Sequence, residues 1–151
     1  MELNQRFKVG KSSVQLIIKT GHIDVRKHKF SHVDGEVVMD GLATMGIDNT
    51  PNEVKDLRRF EEYVTVFQVK WDGKTVPIRK EDYGNIFNPS FKMAVDSESR
   101  LASGESVLIM PSVKGDAFLL SIRGGQGGGH FTAWWMIRKE GVVGLCKEGP
   151  P

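Results

Sequence analysis

Six consecutive residues, Gly124-Gly125-Gln126-Gly127-Gly128-Gly129, lie between Arg123 and His130, and five of them are glycine. A chain so poor in side chains can wrap backbone amides around an anion. Arg123, Gly125, Gly127 and His130 are therefore candidate contacts for an anionic ligand at residues 124–129. The run lacks the Lys-Ser/Thr ending of a phosphate-binding P-loop, and a strand is expected after it where that motif has a helix. A flexible hairpin between two buried strands explains the same composition.

The other reactive side chains form no familiar set. His28 and His32 are four residues apart, but their segment does not read as a helix that would bring both imidazoles to one face. No metal site and no cofactor are expected. Cys146, the lone cysteine, has no cysteine-protease signature around it and is expected to be a buried, inert thiol on a strand. Glu61 and Glu62 are adjacent, so their carboxylates diverge and do not pair for acid–base work. There is no Gly-x-Ser-x-Gly elbow, His-Glu-x-x-His helix or kinase set. These gaps weigh against an enzyme. The enzymatic alternative is a small enzyme binding an anionic substrate at the glycine run.

Charge is the broader signal. The net charge is +2 over 151 residues, but it is segregated. Residues 1–32 carry Arg6, Lys8, Lys11, Lys19, Arg26, Lys27 and Lys29 against only Glu2 and Asp24. Residues 33–64 carry Lys55, Arg58 and Arg59 against Asp34, Glu36, Asp40, Asp48, Glu53, Asp56, Glu61 and Glu62. A basic face concentrates nucleic acid or acidic lipid headgroups. Arg6, Lys8, Lys11, Arg26, Lys27 and Lys29 are the candidate contacts, expected to form one compact patch if they share a surface. Basic and acidic faces together also suit self-association, unless the two segments neutralise each other within one chain.

These residues need a scaffold, and hydropathy indicates one rich in β-structure. Ser12–Lys19, Glu36–Met39 and Tyr63–Trp71 read as strands, the second ended by Asp40-Gly41. Asp72-Gly73 reads as a two-residue hairpin turn. Pairing Trp71 with Lys74 puts Val69 opposite Val76 and Phe67 opposite Ile78, with Gln68, Lys70, Thr75 and Pro77 on the wet face. Phe91–Val95, Ser106–Met110, Ala117–Ile122, Phe131–Ile137 and Val142–Cys146 follow as short strands. Trp134 and Trp135 are expected in a strand covered on both sides. Thr50-Pro51-Asn52-Glu53 has the capping-box pattern and opens a helix over residues 51–62, with Val54, Leu57 and Phe60 as its apolar stripe.

The fold expected is mainly β: an antiparallel sandwich or flattened barrel of about nine short strands with one helix. Residues 1–148 read as one domain and 149–151 as a loose tail. No apolar run approaches the ~20 residues of a membrane-spanning helix. No signal peptide opens the chain, so an intracellular protein is expected, or one carried in a virion. The function expected is that of a non-enzymatic structural or assembly protein, coat- or matrix-like, of the kind that includes viral coat and matrix proteins.

Overall fold

Asp72 and Gly73 adopt φ of 48° and 79°, the two left-handed positions of a type I′ turn. They join Tyr63–Trp71 to Lys74–Thr75 with Trp71 opposite Lys74. A bond of 2.9 Å from the Val76 amide to the Val69 carbonyl extends the register. Val69, Trp71 and Val76 are buried, and Thr75 and Pro77 are exposed. The ladder itself stops at Thr75, so Ile78 has no strand pairing with Phe67.

The computed structural model describes residues 1–47, 62–91, 106–125 and 130–148. Twelve strands lie among them: β1 (Glu2–Val9), β2 (Ser12–Gly21), β3 (Phe30–Val33), β4 (Glu36–Met39), β5 (Leu42–Met45), β6 (Tyr63–Trp71), β7 (Lys74–Thr75), β8 (Asn85–Ile86), β9 (Val107–Pro111), β10 (Ala117–Gly124), β11 (Phe131–Arg138) and β12 (Gly141–Glu148). One short α-helix, α1 (Lys80–Tyr83), and a 3-10 turn at Val25–Lys27 accompany them. Residues 51–61 of the helix expected over 51–62, its Thr50 cap and residues 92–95 of the strand expected over Phe91–Val95 lie outside the described residues; Glu62 and Phe91 are described and belong to neither a helix nor a strand.

The strands form three four-stranded sheets, ordered β1-β2-β6-β7, β12-β11-β10-β9 and β3-β4-β5-β8. Neighbours are antiparallel except β5 and β8, which run parallel. Among the described residues no sheet closes on itself, which corrects the flattened-barrel alternative: each sheet keeps two edge strands. The count of nine strands is also corrected. β1 was missed because its alternation of Leu3, Phe7 and Val9 is crowded by Glu2, Arg6 and Lys8. β5 and β8 are too short to show a period.

Two sheets share one core. Leu16, Ile18 and Val69 from the first meet Phe118, Leu120, Trp135 and Ile137 from the second, all with essentially no exposure. Phe7 meets Phe118 edge-on at 4.9 Å, and Phe67 meets Trp135 at 5.3 Å between ring centroids. The small third sheet has its own cluster of Val37, Met39, Ile47 and Phe87. Asn85, in β8, ties the strands of that sheet together by donating to the Met39 and Leu42 carbonyls of β4 and β5 at 2.8 and 3.0 Å. α1 is pinned to the main core because the Trp135 indole N–H donates to the Asp82 carbonyl at 2.9 Å.

A candidate anion-binding end

Arg6 and Lys8 alternate with buried Leu3 and Val9 along β1, so both project outward, away from the core. Lys70 projects from the same face: Arg6 pairs with Gln15, and Gln15 pairs with Lys70. Lys11 is exposed in the tight β1–β2 turn beside Gly10, whose φ is 59°.

Further turns join this one. The backbones of Gly10 and Gly115 approach so closely that a Cβ on Gly10 would stand 3.1 Å from the Gly115 Cα. The β9–β10 turn, with exposed Val113 and Lys114, therefore packs against the β1–β2 turn. Asp72, at the β6–β7 turn, accepts a 2.8 Å bond from the Ser13 amide. The β11–β12 turn joins the group because Arg138 pairs with Ala117. Lys8, Lys11, Lys74, Lys114, Arg138 and Lys139 thus gather with Asp72, Asp116 and Glu140 at one end of the two main sheets. The Asp72 carboxyl is held below its usual range, first by the Ser13 amide, then by the Ser12 hydroxyl, with Lys8 and Lys139 acting on it from nearby. Arg138 and Asp116 pair loosely at 4.0 Å. Lys8, Lys11, Lys74, Lys114 and Lys139 have no carboxylate partner within 4.0 Å among the described residues.

Arg26, Lys27 and Lys29 lie elsewhere, so the single compact patch does not form. His28 packs on Tyr63 at 5.9 Å between rings, Tyr63 pairs with Gly21, and the Thr20 amide bonds Met1. This is the Glu2 end of β1, six residues or about 20 Å along the strand from Lys8. Arg26 is also partly neutralised locally. Its guanidinium meets Asp24 at 3.0 Å, which raises the arginine pKa and lowers that of the aspartate. The Lys29 amide donates to Asp40 at 2.9 Å, and Asp40 holds His28 Nδ1 at 2.7 Å. Part of the acidic segment therefore folds back on the basic one. Asp48, Glu53, Asp56 and Glu61 lie outside the described residues.

Arg123 is exposed at the end of β10, and His130 is exposed just before β11. The described glycines between them have packing roles. The Gly125 amide donates to the Asn88 carbonyl at 2.9 Å, so that donor is already used. A Cβ on Gly124 would lie 2.5 Å from the Asn88 oxygen and 2.8 Å from the Pro89 Cα. Gly127 lies outside the described residues.

Cys146 is exposed, which corrects the expected buried thiol. The residues before it, Val142-Val143-Gly144-Leu145, are apolar, but β12 is an edge strand. Trp135 is wholly buried while Trp134 is half-buried on the opposite face, so only one face of β11 is fully covered. Two amines were not anticipated. Lys80, 4.8 Å over the Tyr83 ring, and Lys147, whose Nζ lies against Gly84, both have pKa values lowered by burial. Their polar sequence surroundings carry no signal of this, because burial comes from α1 folding beside β12. Among the described residues no helix is long and apolar enough to cross a membrane. No family, curated protein or solved structure matches the chain.

Proposed function

We propose that this is a non-enzymatic structural or assembly protein, coat- or matrix-like, built as a two-layer β-sandwich that contacts an anionic surface through its basic turn end. The observation that carries the reading is the convergence of Lys8 and Lys11 from the β1–β2 hairpin with Lys114 and Lys139 from two others. Strand pairing holds these cations together against their mutual repulsion, and a phosphate-bearing surface relieves that repulsion. Nucleic acid backbones and acidic headgroups share this chemistry. Among the described residues no aromatic is among the large hydrophobic side chains that stand exposed, so the contact proposed is to phosphates and not to stacked bases. Val113, fully exposed beside Lys114, favours the headgroup region of an anionic membrane as the second reading.

The test is a salt titration of binding to a single-stranded oligonucleotide and to anionic vesicles. With about four phosphate contacts, log K should fall against log salt with a slope near −3 for the single strand. Replacing Lys8, Lys11 and Lys114 together with Ala should flatten that slope by about two units. Replacing Arg26, Lys27 and Lys29 together should change it less, because Asp24 already engages Arg26. Absent or salt-insensitive binding by the wild type would sink the reading.

A further inference from the structure

We infer that two copies of this chain join through their β1 strands, edge to edge and antiparallel, into one continuous sheet with the two-fold axis at Gln5. This deepens the assembly reading above and rests on it only for the expectation of self-association.

The main-chain groups that make this joint are in phase for it. The Thr20 amide donates to the Met1 carbonyl at 2.9 Å, so Met1 and Thr20 are a hydrogen-bonded pair at the start of the β1–β2 ladder. Bonded and non-bonded pairs alternate along an antiparallel ladder. Leu3, Gln5, Phe7 and Val9 therefore bond to β2, and Glu2, Asn4, Arg6 and Lys8 turn their N–H and C=O groups to the open side. The far side of β2 agrees, because the Asp72 amide donates to the Ser13 carbonyl at 2.8 Å and leaves Ser12 and Val14 to β1. Among the described residues no strand pairs with β1 on that open side.

The other edges are guarded. β7 and β8 are two residues long and β3 is four. β9 is short and ends in Pro111. β12 is interrupted by a bulge opposite Met136 and Ile137, and Lys147 sits on the row of Ala133, which faces the core. Shortness, edge prolines, bulges and inward-pointing charges are devices that block strand-to-strand pairing. β1 is eight residues long, contains no proline and pairs with β2 without a register shift. Its charges, Glu2, Arg6 and Lys8, lie on the outward face, where they select a register.

With Gln5 on the axis, Glu2 faces the partner's Lys8 and Asn4 faces the partner's Arg6 on the outward side. Leu3, which is buried, faces the partner's Phe7, which is half-buried, on the core side. Opposite charges and apolar side chains directly across a sheet stabilise the pairing. Glu2, already 3.8 Å from Lys19, thereby lies between two cations. Gln5 is half-buried between Leu3 and Phe7. At the axis its amide meets its own copy, and each donates to the other's carbonyl. The pairs Glu2–Lys8 and Asn4–Arg6, with their symmetry mates, exchange about eight main-chain bonds. Sliding the partner by two residues one way sets Arg6 against the partner's Arg6. Sliding it the other way leaves Lys8 without a partner and loses a bonded pair. The edge is thus complementary to itself in one register, as an isologous interface requires. Main-chain bonds supply the affinity in strand additions of this kind. An edge contact is small beside a standard interface, so the dimer is concentration-dependent. Its strands run antiparallel across the joint, which sets the two basic turn ends at opposite poles.

Sedimentation equilibrium of the full chain from micromolar to millimolar concentration should show a monomer–dimer equilibrium. Asn4→Pro removes an N–H on the open side and none from the β1–β2 ladder, so it should leave a monomer. If that variant folds poorly, hydrogen exchange of the wild type decides. The Asn4 and Arg6 amides should exchange about tenfold more slowly at millimolar than at micromolar concentration. Lys8→Glu should weaken association about tenfold, and adding Glu2→Lys should restore it. Three results would each overturn the proposal: a monomer at every concentration, a dimer whose Asn4 and Arg6 amides exchange at one rate throughout, or a folded Asn4→Pro variant that dimerises as the wild type does. Oligonucleotide and vesicle binding measured on the same wild-type samples separates the two readings. A dimer that binds no anion removes the basic-end reading alone, and anion binding by a strict monomer removes the dimer alone.

Discussion

At the scale of single residues, Asp72 and Gly73 carry more than a turn. Asp72 accepts the Ser13 amide, locking the β6–β7 turn to β2. Its carboxyl titrates below the ordinary value because the anion is what that amide and the Ser12 hydroxyl bind. A carboxyl whose folded pKa is depressed contributes stability that is complete above the unfolded value and is lost as pH falls through the folded one. Asp72→Asn keeps the turn geometry and removes the charge. The melting temperature of the wild type should therefore exceed that of Asp72→Asn at neutral pH. The gap should close as pH falls below 3.8, the ordinary aspartate value. Gly73, at φ of 79°, gives a second test. Gly73→Val forces a β-branched side chain into the left-handed region, at a cost of roughly 1–2 kcal/mol. Thermal denaturation should show a loss of several degrees, at about 2–4 °C per kcal/mol for a chain of this size. An unchanged midpoint would remove the turn's role.

Among the elements, the hairpin of β10 and β11 shows why glycine density alone does not identify a ligand site. Gly124 has no left-handed φ, so its need for glycine is steric: the Asn88-Pro89 backbone crosses directly above it. That crossing brings the chain after β8 against the main sheet, with Pro89 paired to Gly124. Gly124→Ala should cost about 1–3 kcal/mol, the usual penalty of overpacking. Chemical denaturation should show a lower midpoint with an unchanged slope. A neutral result would mean that the crossing segment yields easily.

For the whole molecule, the decisive feature is that the tight turns of two different sheets finish at one end. Cations spread through the sequence from Lys8 to Lys139 become neighbours there, and they repel one another. Lys114→Glu should therefore raise stability by about 0.5 kcal/mol at low ionic strength. The gain should disappear near 1 M salt, where the screening length is about 3 Å. A gain independent of salt would mean that Lys114 acts through packing and not through charge. The same substitution should weaken oligonucleotide or vesicle binding. Stability and anion binding thus move in opposite directions at this one site.

Local pattern determined a good deal by itself. The alternation in Tyr63–Trp71, the Asp72-Gly73 turn and the strand at Glu36–Met39 were all legible, because side-chain period and left-handed turn positions are properties of a few adjacent residues. The candidate site was legible only in part. Arg6, Lys8 and Lys11 could be picked out as basic, but Lys114 and Lys139 gave no signal, being single charges in ordinary turns. Arg26, Lys27 and Lys29 are close to the first three in sequence, yet β2 carries the chain the length of the sheet and separates them. The apolar run Val142-Val143-Gly144-Leu145 before Cys146 suggests burial, and only the order β12-β11-β10-β9 shows that its strand is an edge. Neighbouring residues set the period and the turns. Strand order and the meeting of hairpin ends come from long-range pairing, which no short stretch of sequence encodes.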